Sequence, residues 1–297
     1  GLTFIAVYLV LQALDIAPLA AALIAAISMS TSPAVVLAVA QEMRAQGQVT
    51  ERTLLLTALN SIYAVVLSTL LLAWARVQTR GVLDDFLLHP AYLIAGSLAL
   101  AAIGARVFLL VVGFVGRDRG AQIMVMLAVV WIVFASAAAL KLSPLLALLA
   151  CGAFVRTFDH QRLLARTDIG LASGVALALF FALSAAIVDG SVLFAAWQPA
   201  LALVAVRAVC KIASVSVLGP LTGITWRKAA LTGIGLLPMS ALALMLTHEV
   251  SQLNPGLGAQ TNAVLLLSVV ILQVVGALTL MLALRASGEA RTDGTGR

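Results

Sequence analysis

Apolar stretches of roughly 20 residues recur along the whole chain, separated by short polar breaks. A helix rises about 1.5 Å per residue and needs about 20 apolar residues to cross the hydrocarbon of a bilayer. Ten stretches fit that requirement more or less closely: 2–14, 16–42, 52–75, 90–113, 121–140, 143–156, 169–188, 194–218, 229–248 and 261–284. Only 10% of residues are charged, against about a quarter in soluble domains, so a membrane is the expected solvent.

Backbone groups in lipid must be satisfied internally, which leaves helices or a closed barrel. Strict apolar/polar alternation is absent, and helices are expected. The expected fold is therefore an all-α polytopic membrane protein of about ten transmembrane segments, with one domain over residues 1–284 and a disordered tail over residues 285–297, rich in Gly, Arg and Thr. The first and sixth stretches are short for a span, the sixth being a candidate for a tilted or re-entrant helix. The chain opens on Gly1 without the basic flank of a signal peptide, and further helices are expected before it. Cys151 and Cys210 fall inside apolar stretches and read as small buried hydrophobes.

Basic residues divide unevenly between alternate loops. Twelve (Arg44, Arg52, Arg117, Arg119, Arg156, Arg162, Arg166, Arg227, Lys228, Arg285, Arg291 and Arg297) fall on one side, and three (Arg76, Arg80 and Lys141) on the other. Positive residues stay cytoplasmic, which predicts a multi-pass protein of the cell (inner) membrane with its C-terminus inside. The net charge of +6 follows from that bias and does not indicate nucleic-acid binding.

Three basic residues lie within the apolar segments. Arg106 is near a segment end and can snorkel. Arg207 and Lys211 are central to the eighth segment and, four residues apart, share a helix face. A charge at mid-membrane costs about 3 kcal/mol even on the cheaper scales, so it normally faces a cavity or a partner and marks a functional pathway.

Two segments are interrupted. Ser30-Thr31-Ser32-Pro33-Ala34 breaks the second, and Gly233, Gly235, Pro238, Met239 and Ser240 break the ninth. Proline removes a donor and clashes with the preceding turn, while neighbouring hydroxyls can satisfy freed backbone groups. Two such breaks, seven segments apart and running in opposite directions, predict an inverted-repeat secondary transporter with its site where the broken helices cross. Segments one to three and eight to ten form the two expected repeats.

With those residues in place, the chain resembles the monovalent cation:proton antiporter superfamily, of the bacterial sodium/proton exchanger type. The stretch Ile27-Ser28-Met29-Ser30-Thr31-Ser32-Pro33-Ala34-Val35-Val36-Leu37 is similar to that family's broken fourth helix. Leu142-Ser143-Pro144 with Cys151-Gly152-Ala153-Phe154 resembles its eighth helix, and Phe180-Phe181 falls where the next carries a Phe-Phe pair. The 27 residues from Lys211 to Pro238 match the spacing from the family's tenth-helix lysine to its second broken helix.

The resemblance implies exchange of sodium or potassium against protons, no cofactor and no structural metal, and a homodimer for the full-length protein. It also implies an ion site at Thr31, Ser32, Pro33, Asn60, Ser61, Lys211, Pro238 and Ser240, with Arg207 as a charge partner. Two places depart from the family pattern. The family carries Asp-Asp or Asn-Asp in the helix after the first break, whereas Asn60-Ser61 stands here, so the carboxylate that binds the cation and carries protons is missing. The usual charges of the second break are also absent from Pro238-Met239-Ser240-Ala241.

All twelve acids, Asp15, Glu42, Glu51, Asp84, Asp85, Asp118, Asp159, Asp168, Asp189, Glu249, Glu289 and Asp293, fall in loops, tails or segment ends, and none replaces it. Ser61 and Asn60 can ligate a cation but cannot release a proton near neutral pH, which leaves Lys211 as the one obvious titratable group of the core. Two basic groups without an acid are expected to repel cations. Three readings stay open: an antiporter with altered coupling; a carrier of an anionic or neutral solute using Lys211 and Arg207; or a relative that no longer transports. An enzyme is not expected. His89, His160 and His248 do not converge, Asp84-Asp85 sits in a loop, and no Gly-rich phosphate loop followed by Lys occurs.

Overall fold

The computed structural model describes residues 1–80, 85–116, 118–159, 196–240, 243 and 255–290. All regular structure there is helical: α1 (Leu2–Ala13), α2 (Pro18–Ser28), α3 (Pro33–Glu42), α4 (Gln48–Arg80), α5 (Asp85–Val115), α6 (Arg119–Ala139), α7 (Pro144–Phe158), α8 (Trp197–Leu218), α9 (Trp226–Gly235) and α10 (Pro255–Ala286), with a 3-10 turn at Gly219–Thr222. Six spans within these elements are long and apolar enough to cross a membrane. The seventh expected segment, Phe180-Phe181, His160, His248, Asp168, Asp189, Glu249 and Asp293 lie outside the described residues.

Helix starts follow from local chemistry. Ser32 and Ser143 cap α3 and α7 by accepting from the backbone N–H groups of Val35 and Leu146, with proline next in the chain. A hydroxyl oxygen satisfies an orphan amide at that position, and proline's fixed φ suits the first helical residue. Thr225 caps α9 in the same way through Lys228.

The chain divides into two compact units. The unit spanning Thr69–Gly174 packs α5, α6 and α7 around Ala105, Phe108, Val112, Val133, Ala147 and Cys151. Within it, Arg106 places its guanidinium 5.1 Å from the centre of the Phe158 ring, a cation–π contact that gives this intramembrane cation a structural partner.

The other unit, Gly1–Ser68 with Val175–Arg297, holds both breaks. Its centre is α2, nine of whose eleven residues are buried. Alanine dominates it because small side chains let neighbouring backbones approach closely where lipid offers no hydrophobic drive. Glycine serves that end at two contacts. A Cβ at Gly233 of α9 would lie 2.7 Å from Ile212 Cα of α8, and one at Gly276 of α10 would lie 2.7 Å from Cα and N of Pro238.

One end of this unit gathers three polar loops. Glu289 accepts from the N–H groups of Val49 and Thr50 at the start of α4, and lies 3.9 Å from Lys228. Arg52 donates to Thr222, and Arg227 donates to the carbonyl of Ala286. Arg52, Arg227, Lys228 and Arg285 therefore share one end, as the loop charges predict.

Candidate functional site

Each break leaves carbonyls with no partner in the next turn, because the last carbonyls of a helix have no intrahelical donors. Residues 29–32 separate α2 from α3, and residues 236–240 follow α9. The two nonhelical stretches meet: the Ser32 N–H donates to the Pro238 carbonyl at 3.0 Å, and the Thr31 hydroxyl donates to the Leu236 carbonyl at 3.3 Å. Pro33 opens α3, and Ser240 is buried with its carbonyl accepting from the Ala243 N–H at 3.1 Å.

Arg207 and Lys211 project from α8 into this meeting point. Arg207, 0% exposed, donates through Nε to the Ser28 carbonyl at 2.7 Å, through Nη1 to the Leu237 carbonyl at 2.5 Å, and through Nη2 to the carbonyls of Ser30 at 2.7 Å and Leu236 at 3.4 Å. One planar guanidinium thus bridges the C-terminal ends of α2 and α9, where the helix dipole concentrates negative charge. Lys211 donates through Nζ to the Met29 carbonyl at 2.9 Å and to the Thr31 hydroxyl at 2.6 Å.

Backbone carbonyls engage both side chains, so each cation is solvated by oxygen dipoles at the crossing without any carboxylate. Asp15, Glu42, Glu51, Asp118, Asp159 and Glu289 all sit at helix ends or in loops, and among the described residues none reaches the crossing.

Asn60 and Ser61 approach from α4. Thr31 spends its hydroxyl proton on Leu236, so its oxygen accepts from both Lys211 and Asn60, the latter at 3.2 Å. That assigns the amide of Asn60: nitrogen to Thr31, oxygen turned elsewhere as an acceptor. The Ser61 hydroxyl lies 3.0 Å from the carbonyls of both Thr31 and Thr57.

A cavity of about 560 Å³ reaches this point. Lys211 and Asn60 line one part of it, and Arg52 and Thr222, an exposed pair, line another. Ser214 and Thr232 form part of the wall, and both donate their protons to backbone carbonyls within their own helices, Cys210 at 2.5 Å and Lys228 at 2.9 Å. Their oxygens keep lone pairs but no free proton.

All nine site residues named from the sequence lie in one unit around the crossing. Missed were the carbonyls of Ser28, Met29, Ser30, Leu236 and Leu237, and the cavity residues Arg52, Ser214 and Thr232. The carbonyls had one available signal, the interruption of each helix just after its last turn.

The sodium/hydrogen exchanger transmembrane family model matches residues 1–285. The chain belongs to that family. Its members are membrane transporters that exchange cations for protons, which is the general function the match supports. A search of curated proteins finds no match.

Proposed function

We propose that this exchanger couples a monovalent cation, sodium or potassium, to a proton through Lys211 rather than through a carboxylate. The observation that carries the reading is the oxygen environment of Nζ: the Met29 carbonyl at 2.9 Å and the Thr31 hydroxyl at 2.6 Å, beside Asn60. An ammonium and an alkali cation seek the same ligands, since carbonyl and hydroxyl oxygens can replace an ion's hydration shell. While Lys211 holds its proton it occupies those oxygens. Once the proton leaves, the neutral amine has no charge to place there, and a cation takes them. Competition for one set of oxygens gives exchange by exclusion, the logic a carboxylate serves elsewhere in the family.

The cavity supports a cationic cargo in a second way. Ser214 and Thr232 present acceptor oxygens, because their protons are already donated, and Asn60 adds its amide oxygen. A second reading, an anionic solute, is favoured by Arg52 and Lys211 both lining the cavity without a carboxylate among its described residues.

In this reading the two broken segments belong to inverted repeats that alternate the crossing between the two sides of the membrane. The end bearing Arg52, Arg227, Lys228 and Arg285 faces the cytoplasm of a bacterial inner membrane by the positive-inside rule, and the full-length protein acts as a homodimer. The test is cation-driven proton release from proteoliposomes holding the full-length protein, on addition of sodium, potassium or lithium. Release supports exchange. Silence with all three cations, together with uptake of a labelled small anion, selects the second reading.

A further inference from the structure

Of the basic residues gathered at one end of this unit, Arg52 is the one among the described residues that lines the cavity. Its neighbours are engaged elsewhere: Lys228 lies 3.9 Å from the Glu289 carboxylate, and Arg227 donates to the carbonyl of Ala286. Arg52 donates to two neutral oxygens of a single residue, through Nη1 to the Thr222 hydroxyl at 2.6 Å and through Nη2 to the Thr222 carbonyl at 3.0 Å. Among the described residues no carboxylate pairs with it, and none lines the cavity. From this placement we infer that Arg52 sets the charge selectivity of the cavity mouth, as a full positive charge pinned at the rim that a cation must pass on its way to Lys211. The inference rests on the exchange reading above and adds a specificity-determining residue to it.

Local structure fixes where that charge sits. Arg52, Leu55, Leu56 and Asn60 of α4 all line the cavity, and spacings of three, four and eight residues put them on one helix face. Eight residues separate Arg52 from Asn60, which is about 12 Å along the axis. Arg52 is half-buried and its partner Thr222 exposed, whereas Lys211 is buried, so Arg52 marks the outer part of the cavity and Lys211 the inner part. The Thr222 hydroxyl spends its proton on the Gly219 carbonyl at 2.7 Å, leaving its oxygen free to accept from the guanidinium. The next residue, Gly223, has a φ of +80°, a left-handed turn that glycine adopts without strain. Two oxygen dipoles therefore hold the fork of Arg52 in place without neutralising it.

A cleft with low-dielectric walls and charge of one sign focuses its field and changes the local concentration of an entering ion about tenfold or more. Leu55, Leu56, Val215 and Leu218 supply such walls here. For a cation the field of Arg52 opposes entry, raising the concentration needed to fill the site without altering the oxygens that bind it. For an anion the same field assists entry. Removing the charge therefore has opposite consequences for the two classes of cargo. Salt weakens the effect in either case, because the Debye length falls from about 30 Å at 0.01 M to about 3 Å at 1 M.

The experiment measures initial rates of sodium- and lithium-driven proton flux in everted and in right-side-out membrane vesicles holding the full-length protein, with choline chloride setting the ionic strength. Wild type, Arg52→Gln and Arg52→Lys are compared. Arg52→Gln keeps an N–H donor for Thr222 but removes the charge. At low ionic strength it is expected to lower the apparent KM for the cation about tenfold from one face of the membrane only, with a maximal rate near that of wild type. The difference is expected to close as choline chloride is raised, and Arg52→Lys restores the wild-type KM. A KM that stays at the wild-type value or rises in Arg52→Gln overturns the inference and leaves exchange intact. So does a loss of rate shared by both variants and insensitive to salt, which marks Arg52 as a structural brace. Absence of proton flux in the wild type with either cation overturns the exchange reading and the role of Arg52 together.

Discussion

The Lys211 ammonium donates to the Thr31 hydroxyl at 2.6 Å, while Asn60 donates to the same oxygen at 3.2 Å and that hydroxyl donates a hydrogen bond to the Leu236 carbonyl at 3.3 Å. Thr31 is thereby the shared node of α8, α4 and both breaks. Its oxygen has no capacity to spare, so any ion entering the crossing has to displace one of the two donors. The one that can become neutral is Lys211.

Thr31→Val is isosteric but removes the node, leaving the Asn60 amide and one Lys211 donor without a partner. An unsatisfied buried group costs about 1–3 kcal/mol. The expected result is a rise of about tenfold or more in the apparent KM for the cation, with near-normal kinetics for Thr31→Ser. Initial rates of proton flux against cation concentration check this. Equal kinetics for the two variants would remove Thr31 from the site.

Arg207→Met leaves four carbonyls of the crossing facing an apolar side chain. Breaking a buried charged network by removing one partner costs about 3–5 kcal/mol, so the variant is expected to unfold at clearly lower temperature in detergent. Arg207→Lys retains the charge but not the planar fork and is expected to fall between the two. Thermal unfolding followed by tryptophan fluorescence decides, and a wild-type transition in Arg207→Met contradicts the clamp.

Gly276→Ala forces a Cβ to within 2.7 Å of the Pro238 backbone, so the second break has to shift. Overpacking of this kind costs about 1–3 kcal/mol, and the displaced Leu237 and Leu236 carbonyls would weaken the hold on Arg207. Lower thermal stability together with slower exchange is expected. Gly113→Ala, where an added Cβ meets nothing within 4 Å, is the matched control and is expected to be neutral or stabilising, because alanine favours a helix by about 1 kcal/mol over glycine.

The helical architecture was legible because lipid imposes a length and an apolar character on each span. Breaks at Pro33 and Pro238 were legible for the same reason, as proline and hydroxyl clusters interrupt otherwise uniform stretches. The four-residue spacing of Arg207 and Lys211 placed both on one face of α8. Their partners were not legible, since Ser28, Met29, Ser30, Leu236 and Leu237 act through backbone carbonyls that every residue carries. Side-chain identity at those positions says nothing of the role. Arg52 read as a topology marker and proved also to line the cavity with Lys211, because a residue 159 positions away shares no local pattern with it. Segment ends differed where polar residues extend a helix past its apolar part, as in α4, which runs over 33 residues from Gln48 to Arg80.

Whether Lys211 carries the exchanged proton is decided by cation-driven proton flux in proteoliposomes for the wild-type protein, Lys211→Gln and Lys211→Arg at equal, folded protein content. Flux is expected in the wild type and only the background of protein-free vesicles in both variants, since one lacks the titratable group and the other cannot release its charge. Wild-type flux retained in Lys211→Gln would contradict that role and place the proton on a group outside the crossing described above.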